Sequence, residues 1–317
     1  MKTNLLLLFL FCLNITAFAQ EETPSSIPFI AYWTEGEVYS YELIKTKIKE
    51  TKSSRTVEDS LVYTVTFEIL EETDTSYTIS YTQDPIYING LKKEMLQDFK
   101  HLLTQNIIYE TDETGLVKQM RNAGDVLKTM KENMETIFSL LSTEYPQTSV
   151  HKLNDLKTVI DEIFTEENIM SLAFKELTYF HFPFGYEFDT NGKVSYEDLL
   201  PNPFGGSPLR GDAEISISEV DAENMSCVLS HNMTVNPEDV NRFIKEFIEK
   251  LNTNFSESEK LELNDIDFQI TDNNAFTIDY DLGLPLSIQT SRRTTVKEKT
   301  STTTMTEGIK LQLIDAE

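Results

Sequence analysis

Leu61-Val62-Tyr63-Thr64-Val65-Thr66-Phe67-Glu68-Ile69 is the stretch on which the fold turns. Large apolar side chains fill every odd position, and smaller or polar ones alternate with them. Strand side chains point to opposite faces in turn, so a period of two predicts a strand with one covered face. Tyr77, Ile79 and Tyr81 resume the period after the polar turn from Glu71 to Thr75, and Val38 to Lys49 supplies a partner on the other side. The same alternation returns late in the chain, at Ala213, Ile215 and Ile217, at Cys227 and Leu229, at Ile266, Phe268 and Ile270, and at Phe276, Ile278 and Tyr280. The threonine-rich ribbon from Ser287 to Ile314 reads as a long solvated hairpin, because threonine is β-branched and the apolar alternation resumes at Ile309, Leu311 and Leu313.

Helical spacing interrupts the strands. Leu91, Met95, Phe99 and Leu103 step by four after Asn89, and Val126, Met130, Met134, Ile137 and Leu141 line one face after the cap candidate Asn122. Leu153, Leu156, Ile160 and Ile163 predict another helix, and Thr165-Glu166-Glu167 predicts the start of one more. Asn236-Pro237-Glu238-Asp239 combines a capping residue, a first-turn proline and early acids, ahead of an apolar face from Val240 to Leu251. Asn191-Gly192, between Phe188 and Val194, is a hairpin signal. Together these elements predict an α+β protein: a large, curved, mostly antiparallel sheet, half-barrel-like, with amphipathic helices on one face. Residues 29–317 are expected to form one domain, with sub-halves 29–200 and 212–317 joined by the Pro/Gly-rich segment 201–211.

Lys2, the apolar run from Leu5 to Leu13 and Ala17-Phe18-Ala19 have the three parts of a secretory signal peptide, residues 1–19. The run is shorter than the roughly 20 apolar residues that span a bilayer, so stable membrane insertion is not expected. Gln20 rather than Cys follows the cut, so no lipid anchor is expected there. The prediction is a soluble periplasmic or extracellular protein with a flexible lead at 20–28. Of two cysteines, Cys227 alone lies beyond the leader, so no internal disulfide is expected. With 27 basic against 53 acidic residues and a net charge of −26, the chain should repel nucleic acid and anionic membrane surfaces.

Candidate chemistry is sparse. Phe180, Phe182, Phe184, Tyr186 and Phe188 occupy alternate positions; as a strand they would present five rings on one face, fit for an acyl chain or a sugar ring, or for the core. Pro183 points to an edge or bulged strand. Asp265 with Asp267, and Asp279 with Asp281, share strand faces, but with polar surroundings they read as solvated surface rather than a calcium site. Asp189-x-Asn191-Gly192 departs from a calcium loop because its glycine comes too early. His101, His151, His181 and His231 are scattered, and no metal or cofactor is expected. Ser149-x-x-Lys152 lacks the companion motifs of serine-lysine enzymes. No GxSxG, Walker or GxGxxG pattern occurs, so no catalytic residue is assigned. Arg210-Gly211-Asp212 reads as exposed turn chemistry, and Cys227 as a buried, inert thiol.

The leader ending Ala-Phe-Ala-Gln, the segment Gly36-Glu37-Val38-Tyr39-Ser40-Tyr41, the turn Thr111-Asp112-Glu113-Thr114-Gly115 and Tyr280-Asp281-Leu282-Gly283-Leu284-Pro285 resemble those of exported proteins of Gram-negative bacteria. The strand-helix-strand order resembles the periplasmic lipoprotein-carrier half-barrel, whose sheet cups helices. That resemblance implies a lipid or other hydrophobic ligand. Three classes stay open on the sequence: non-enzymatic binding of a hydrophobic ligand, an envelope or extracellular interaction and scaffold module, and a hydrolase of unrecognised type.

Overall fold

The computed structural model describes residues 24–83, 106–144, 163–167, 169–202, 206–252 and 266–316. β1 (Ser26–Phe29) pairs antiparallel with β7 (Tyr186–Asp189) as a small separate ribbon. Every other strand among the described residues joins one antiparallel sheet of eleven. Its first meander is β2 (Val38–Thr51), β3 (Arg55–Thr73), β4 (Ser76–Gln83), β5 (Asn106–Asp112) and β6 (Val117–Met120). Its second is β8 (Lys193–Leu200), β9 (Leu209–Asp221), β10 (Ser226–Val235), β11 (Asp267–Asp279), β12 (Leu284–Lys297) and β13 (Thr302–Ala316). The order β6-β5-β4-β3-β2-β13-β12-β11-β10-β9-β8 makes β2 and β13 neighbours, so the two meanders meet at the first strand of one and the last of the other. The fold is therefore α+β with a half-barrel-like open sheet, as the alternating residues predict.

Registers carry the alternation across the whole sheet. Tyr81, Phe67, Tyr39 and, one layer on, Leu43, Leu311, Ile288, Phe276 and Leu229 share one face and are buried. On that inner face lie α2 (Ile169–Ala173) and α3 (Lys175–His181), and α1 (Ala123–Glu144) reaches it through Val126. Residues 26–33 cross beneath the sheet. Ala31 N–H donates to Thr114 O at 2.9 Å, Gly185 N–H to Phe29 O at 2.9 Å, and Trp33 Nε1 to Gly283 O at 3.0 Å. Trp33 then packs on Tyr77, Phe180 and Phe184, and Phe180 stacks on Phe67 with centroids 4.1 Å apart. Aromatic burial of this kind contributes roughly 1.5–3 kcal/mol per side chain, with a further ~0.5–1.5 kcal/mol for well-placed ring pairs.

α4 (Pro237–Asn252) covers a second, smaller core at the far end of β9 to β11. Its start follows the sequence reading: Asn236 Oδ1 accepts the Glu238 and Asp239 N–H groups at 3.0 and 3.2 Å. Val240, Phe243 and Ile244 pack on Leu209, Ala213, Met233, Phe268 and Ile270. Asp239 binds the Arg210 guanidinium at 2.8 Å and that of Arg242 at 2.6 Å, and the Arg210 side chain and N–H hold its carboxyl well below the usual range.

Several expectations are corrected. Residues 24–28 are largely strand rather than a flexible lead, because Ile27 is buried and Thr190 N–H and Oγ1 hold the Ser25 and Pro24 carbonyls. Asn191-Gly192 makes no hairpin: β7 pairs with β1 and β8 with β9, and neither turn residue takes the positive φ that a tight hairpin needs. Asn122 caps no helix with its side chain; it accepts Ile108 N–H and donates to Asn106 O, bracing β5. The threonine ribbon is the hairpin the sequence predicts, β12 pairing with β13 from Ser287–Gln312 to Lys297–Thr302, but it lies inside the sheet, with β12 also paired to β11 and β13 to β2. Arg210-Gly211-Asp212 lies in β9 with Arg210 engaged by Asp239, not in a free turn. The segment 201–211 links β8 to its sheet neighbour β9, with 203–205 outside the described residues. Residues 1–23, the predicted helix 89–104, Ser149-x-x-Lys152 and most of the helix at 153–163 also lie outside them.

Gly283 is the tightest point of this packing. Its φ is +61°, and a Cβ there would sit 2.0 Å from Ile30 O and 2.8 Å from Ala31 Cα, both backbone. Gly283→Ala is expected to push residues 30–31 off the inner face and destabilise the protein by well over the ~1 kcal/mol of an average substitution, read as a lower urea midpoint.

Candidate functional site

The predicted five-ring stripe does not exist as a strand. Phe180 lies in the last turn of α3, residues 182–185 turn, and of the five only Tyr186 and Phe188 are strand. The turn ends at Gly185, with φ +83°. Burial follows a step of four instead: Phe180, Phe184 and Phe188 are buried, Phe182 is half-buried, and Tyr186 is 56% exposed. Phe180 and Phe184 belong to the Trp33 cluster. Phe182 swings to the other half of the sheet, stacking on Phe276 at 5.1 Å and lying 4.7 Å from the His231 ring.

That swing opens a cavity of about 540 Å³ between the 178–188 segment and the β8–β9 end of the inner face. Phe182, Tyr186 and Phe188 line it, as do Leu116, Val117, Met170, Val194 and Ile215. Its polar contributors are Thr178, His181, Tyr196 and Asp198. The structure thus brings three of the five aromatic residues to this cavity and places the other two in the core. The β8 contribution was legible in principle: Val194, Tyr196 and Asp198 alternate toward the inner face, with an acid where the period calls for an apolar residue.

Two buried histidines flank the cavity. His181 Nδ1–H donates to Gly115 O at 2.8 Å, and Nε2 accepts from the Tyr109 hydroxyl at 2.7 Å. Asn274 Nδ2 donates to His231 Nδ1 at 3.1 Å, which leaves Nε2–H for the Tyr196 oxygen at 3.3 Å. Burial lowers the His231 pKa against the opposing charges of Asp272 and Asp198. Asn274 Oδ1 is buried with no partner among the described residues.

Farther along the inner face, α3 carries charge onto the sheet. Glu176, 1% exposed, meets Lys45 at 2.9 Å and accepts from the Tyr81 hydroxyl at 3.0 Å. Arg292 holds the buried Asp272 through two bonds of 2.8 and 2.6 Å. A cleft of about 290 Å³ runs beside Lys45, Lys175, Glu176 and Glu307. Residues alternate to the opposite face at Ser195, Glu197, Asp212, Glu214 and Asn232, where a wide polar trough of about 730 Å³ crosses the strands.

The remaining candidates separate. Asp279 Oδ1 caps its own turn through the Asp281 and Leu282 N–H groups, and Asp267 is exposed on β11. Among the described residues no group of three acids, histidines or cysteines is placed to hold a metal. Cys227 is buried against the core, which pushes its thiol up to about 12. No described helix is long and apolar enough to cross a membrane.

No protein-family model and no curated protein matches this chain. Among solved structures, one of lipovitellin, described by its lipid–protein interactions, aligns with 90% of this chain and 26% of its own, at a TM-score of 0.42 and 9% identity. This chain thus spans about a quarter of that protein's length.

His181 sets a pH dependence. Burial holds its imidazole down at about 4 from an ordinary 6.5, opposed by the bond to Gly115. The unfolded chain then takes up a proton that the folded one refuses, so stability is complete above pH 6.5 and declines as pH falls toward 4. The decline should approach 1.4 kcal/mol per pH unit inside that window, or roughly 3 kcal/mol in all. Urea midpoints between pH 7.5 and 4.5 check this, and His181→Asn should flatten the profile while lowering stability at pH 7.5.

Proposed function

We propose that the protein is an exported, non-enzymatic carrier that holds a lipid or another apolar ligand in the cavity lined by Phe182, Tyr186 and Phe188. One observation carries the reading: the cavity's volume, about 540 Å³, lies within the roughly 300–1,000 Å³ of small-molecule sites, and its lining is chiefly apolar with a few convergent polar groups. Tyr186 and Val194, 56% and 47% exposed, border it, which offers a ligand a way in from solvent. Export is proposed from Lys2, the run from Leu5 to Leu13 and Ala17-Phe18-Ala19. Such a ligand would be handled in the periplasm or outside the cell.

Filling the cavity tests the proposal. Nile red, a neutral apolar dye, is expected to bind with a saturable rise in emission and to be displaced by a twelve-carbon alcohol. Val194→Trp would place an indole in the cavity. Overpacking costs roughly 1–3 kcal/mol, so dye affinity should fall by about tenfold or more. Native mass spectrometry of protein taken from its own host should show a bound apolar species that this variant loses. Absence of saturable dye binding would end the proposal.

A further inference from the structure

The cavity has a chemical polarity of its own, carried by Asp198. This residue sits on β8 opposite Gly211, in the alternation that turns Val194 and Tyr196 inward, and it is the one carboxylate among the lining residues. No lysine or arginine lines the cavity with it, and Asp198 has no ion pair among the described residues. Cations on this half of the sheet are engaged elsewhere: Arg210 by Asp239, Lys193 by Glu214 and Arg292 by Asp272. Asp198 Oδ1 accepts Leu199 N–H at 2.8 Å in a turn-like bond that does not engage Oδ2.

Tyr196 and His231 stand beside it, and they do not cancel the charge. The His231 ring nitrogens are bonded to Asn274 and Tyr196, a neutral arrangement that burial favours. His181, at another part of the lining, is likewise neutral at pH 7 because of its burial. A ligand inside this cavity therefore meets an apolar wall along most of its length and one uncompensated negative charge. A charge in a partly desolvated site interacts with a ligand's head by several times the energy found in water, and its sign decides which head is accepted.

We infer that the ligand class is an apolar chain ending in an ammonium or another hydrogen-bond-donating head, and that Asp198 selects it against carboxylate-headed chains such as free fatty acids. This rests on the carrier reading of the same cavity. The overall charge of −26 acts in the same direction at long range, but it does not depend on Asp198, and that difference makes the inference testable.

The experiment compares three chains of equal length, dodecylamine, dodecanol and dodecanoate, each below its micelle concentration at pH 7. Each displaces Nile red from the full chain and from Asp198→Asn, a variant that keeps the Oδ1 acceptor for Leu199. The amine is expected to displace the dye at a concentration at least about tenfold lower than dodecanoate does. Asp198→Asn should shrink that gap to within about threefold and leave dodecanol unchanged; Asp198→Ser serves the same purpose if the first variant loses its native circular dichroism. Equal displacement by all three, tighter binding of dodecanoate, or a gap that survives both variants overturns the inference while leaving the carrier reading standing. Failure of the wild-type chain to bind the dye or any of the three overturns both.

Discussion

The hydrogen-bonded pairing of β2 with β13 turns two meanders into one sheet, and the arrangement of everything on the inner face depends on its register. Tyr41 stands opposite Leu313, Leu43 opposite Leu311 and Lys45 opposite Ile309. A slip of one residue would put Tyr41 and Leu43 on the opposite face from Leu311 and Leu313, and bring Glu42 or Lys310 inward. The apolar layer that runs from β4 to β10 is continuous only because this one non-sequential pairing keeps phase between strands far apart in the chain. Tyr41 anchors it further, its hydroxyl donating to Pro285 O at 2.8 Å across the junction.

Above that layer the inner face is not uniformly greasy. Where the aromatic cluster ends, Lys45, Thr290, Asn274 and His231 follow across β2, β12, β11 and β10, with Glu176 brought down from α3. Buried charge is costly unless it is paired and hydrogen-bonded. Glu176 with Lys45 and Tyr81, and Asp272 with Arg292, meet that condition. Burial works most strongly against the Lys45 charge, but Glu176 and Tyr63 together outweigh it and raise the lysine pKa. These pairs fix the seat of α3, and α3 in turn determines where the chain leaves the Trp33 cluster and where Phe182 reaches.

The strands were legible because their signal is local: alternation at 61–69, 77–81, 213–217 and 276–280 appears in the sheet as read. The helix at 237–252 was legible for the same reason, since Asn236, Pro237 and the early acids act within one turn. What sequence could not convey was partnership. Nothing in residues 38–49 names residues 302–316 as neighbours, so the threonine ribbon was legible as a hairpin but not as the junction between the two meanders. Asn191-Gly192 misled because the strand before it found β1, a segment whose prolines and serines resembled a loose lead. The aromatic run misled through its double periodicity: Phe180, Phe184 and Phe188 also stand four apart, and Pro183 with Gly185 breaks the segment between helix and strand. Of the cavity's walls, the aromatic side was visible beforehand. The alternation of Asp198 and Ile215 was legible too, but not their place at this cavity, which arises only when β8 and β9 pair beside the turn.

Joining the opening strand of one meander to the closing strand of the other has a consequence for how such a chain matures. Synthesis or threading that delivers the N-terminus first leaves one edge of β2 without hydrogen-bond partners until the final fifteen-residue strand arrives. That edge is long and bears alternating aromatic groups, a template for unwanted association between nascent molecules. Contacts so distant along the polypeptide also form slowly. Lys45, Lys47 and Lys49 on the waiting edge supply like-charge repulsion between copies during that interval.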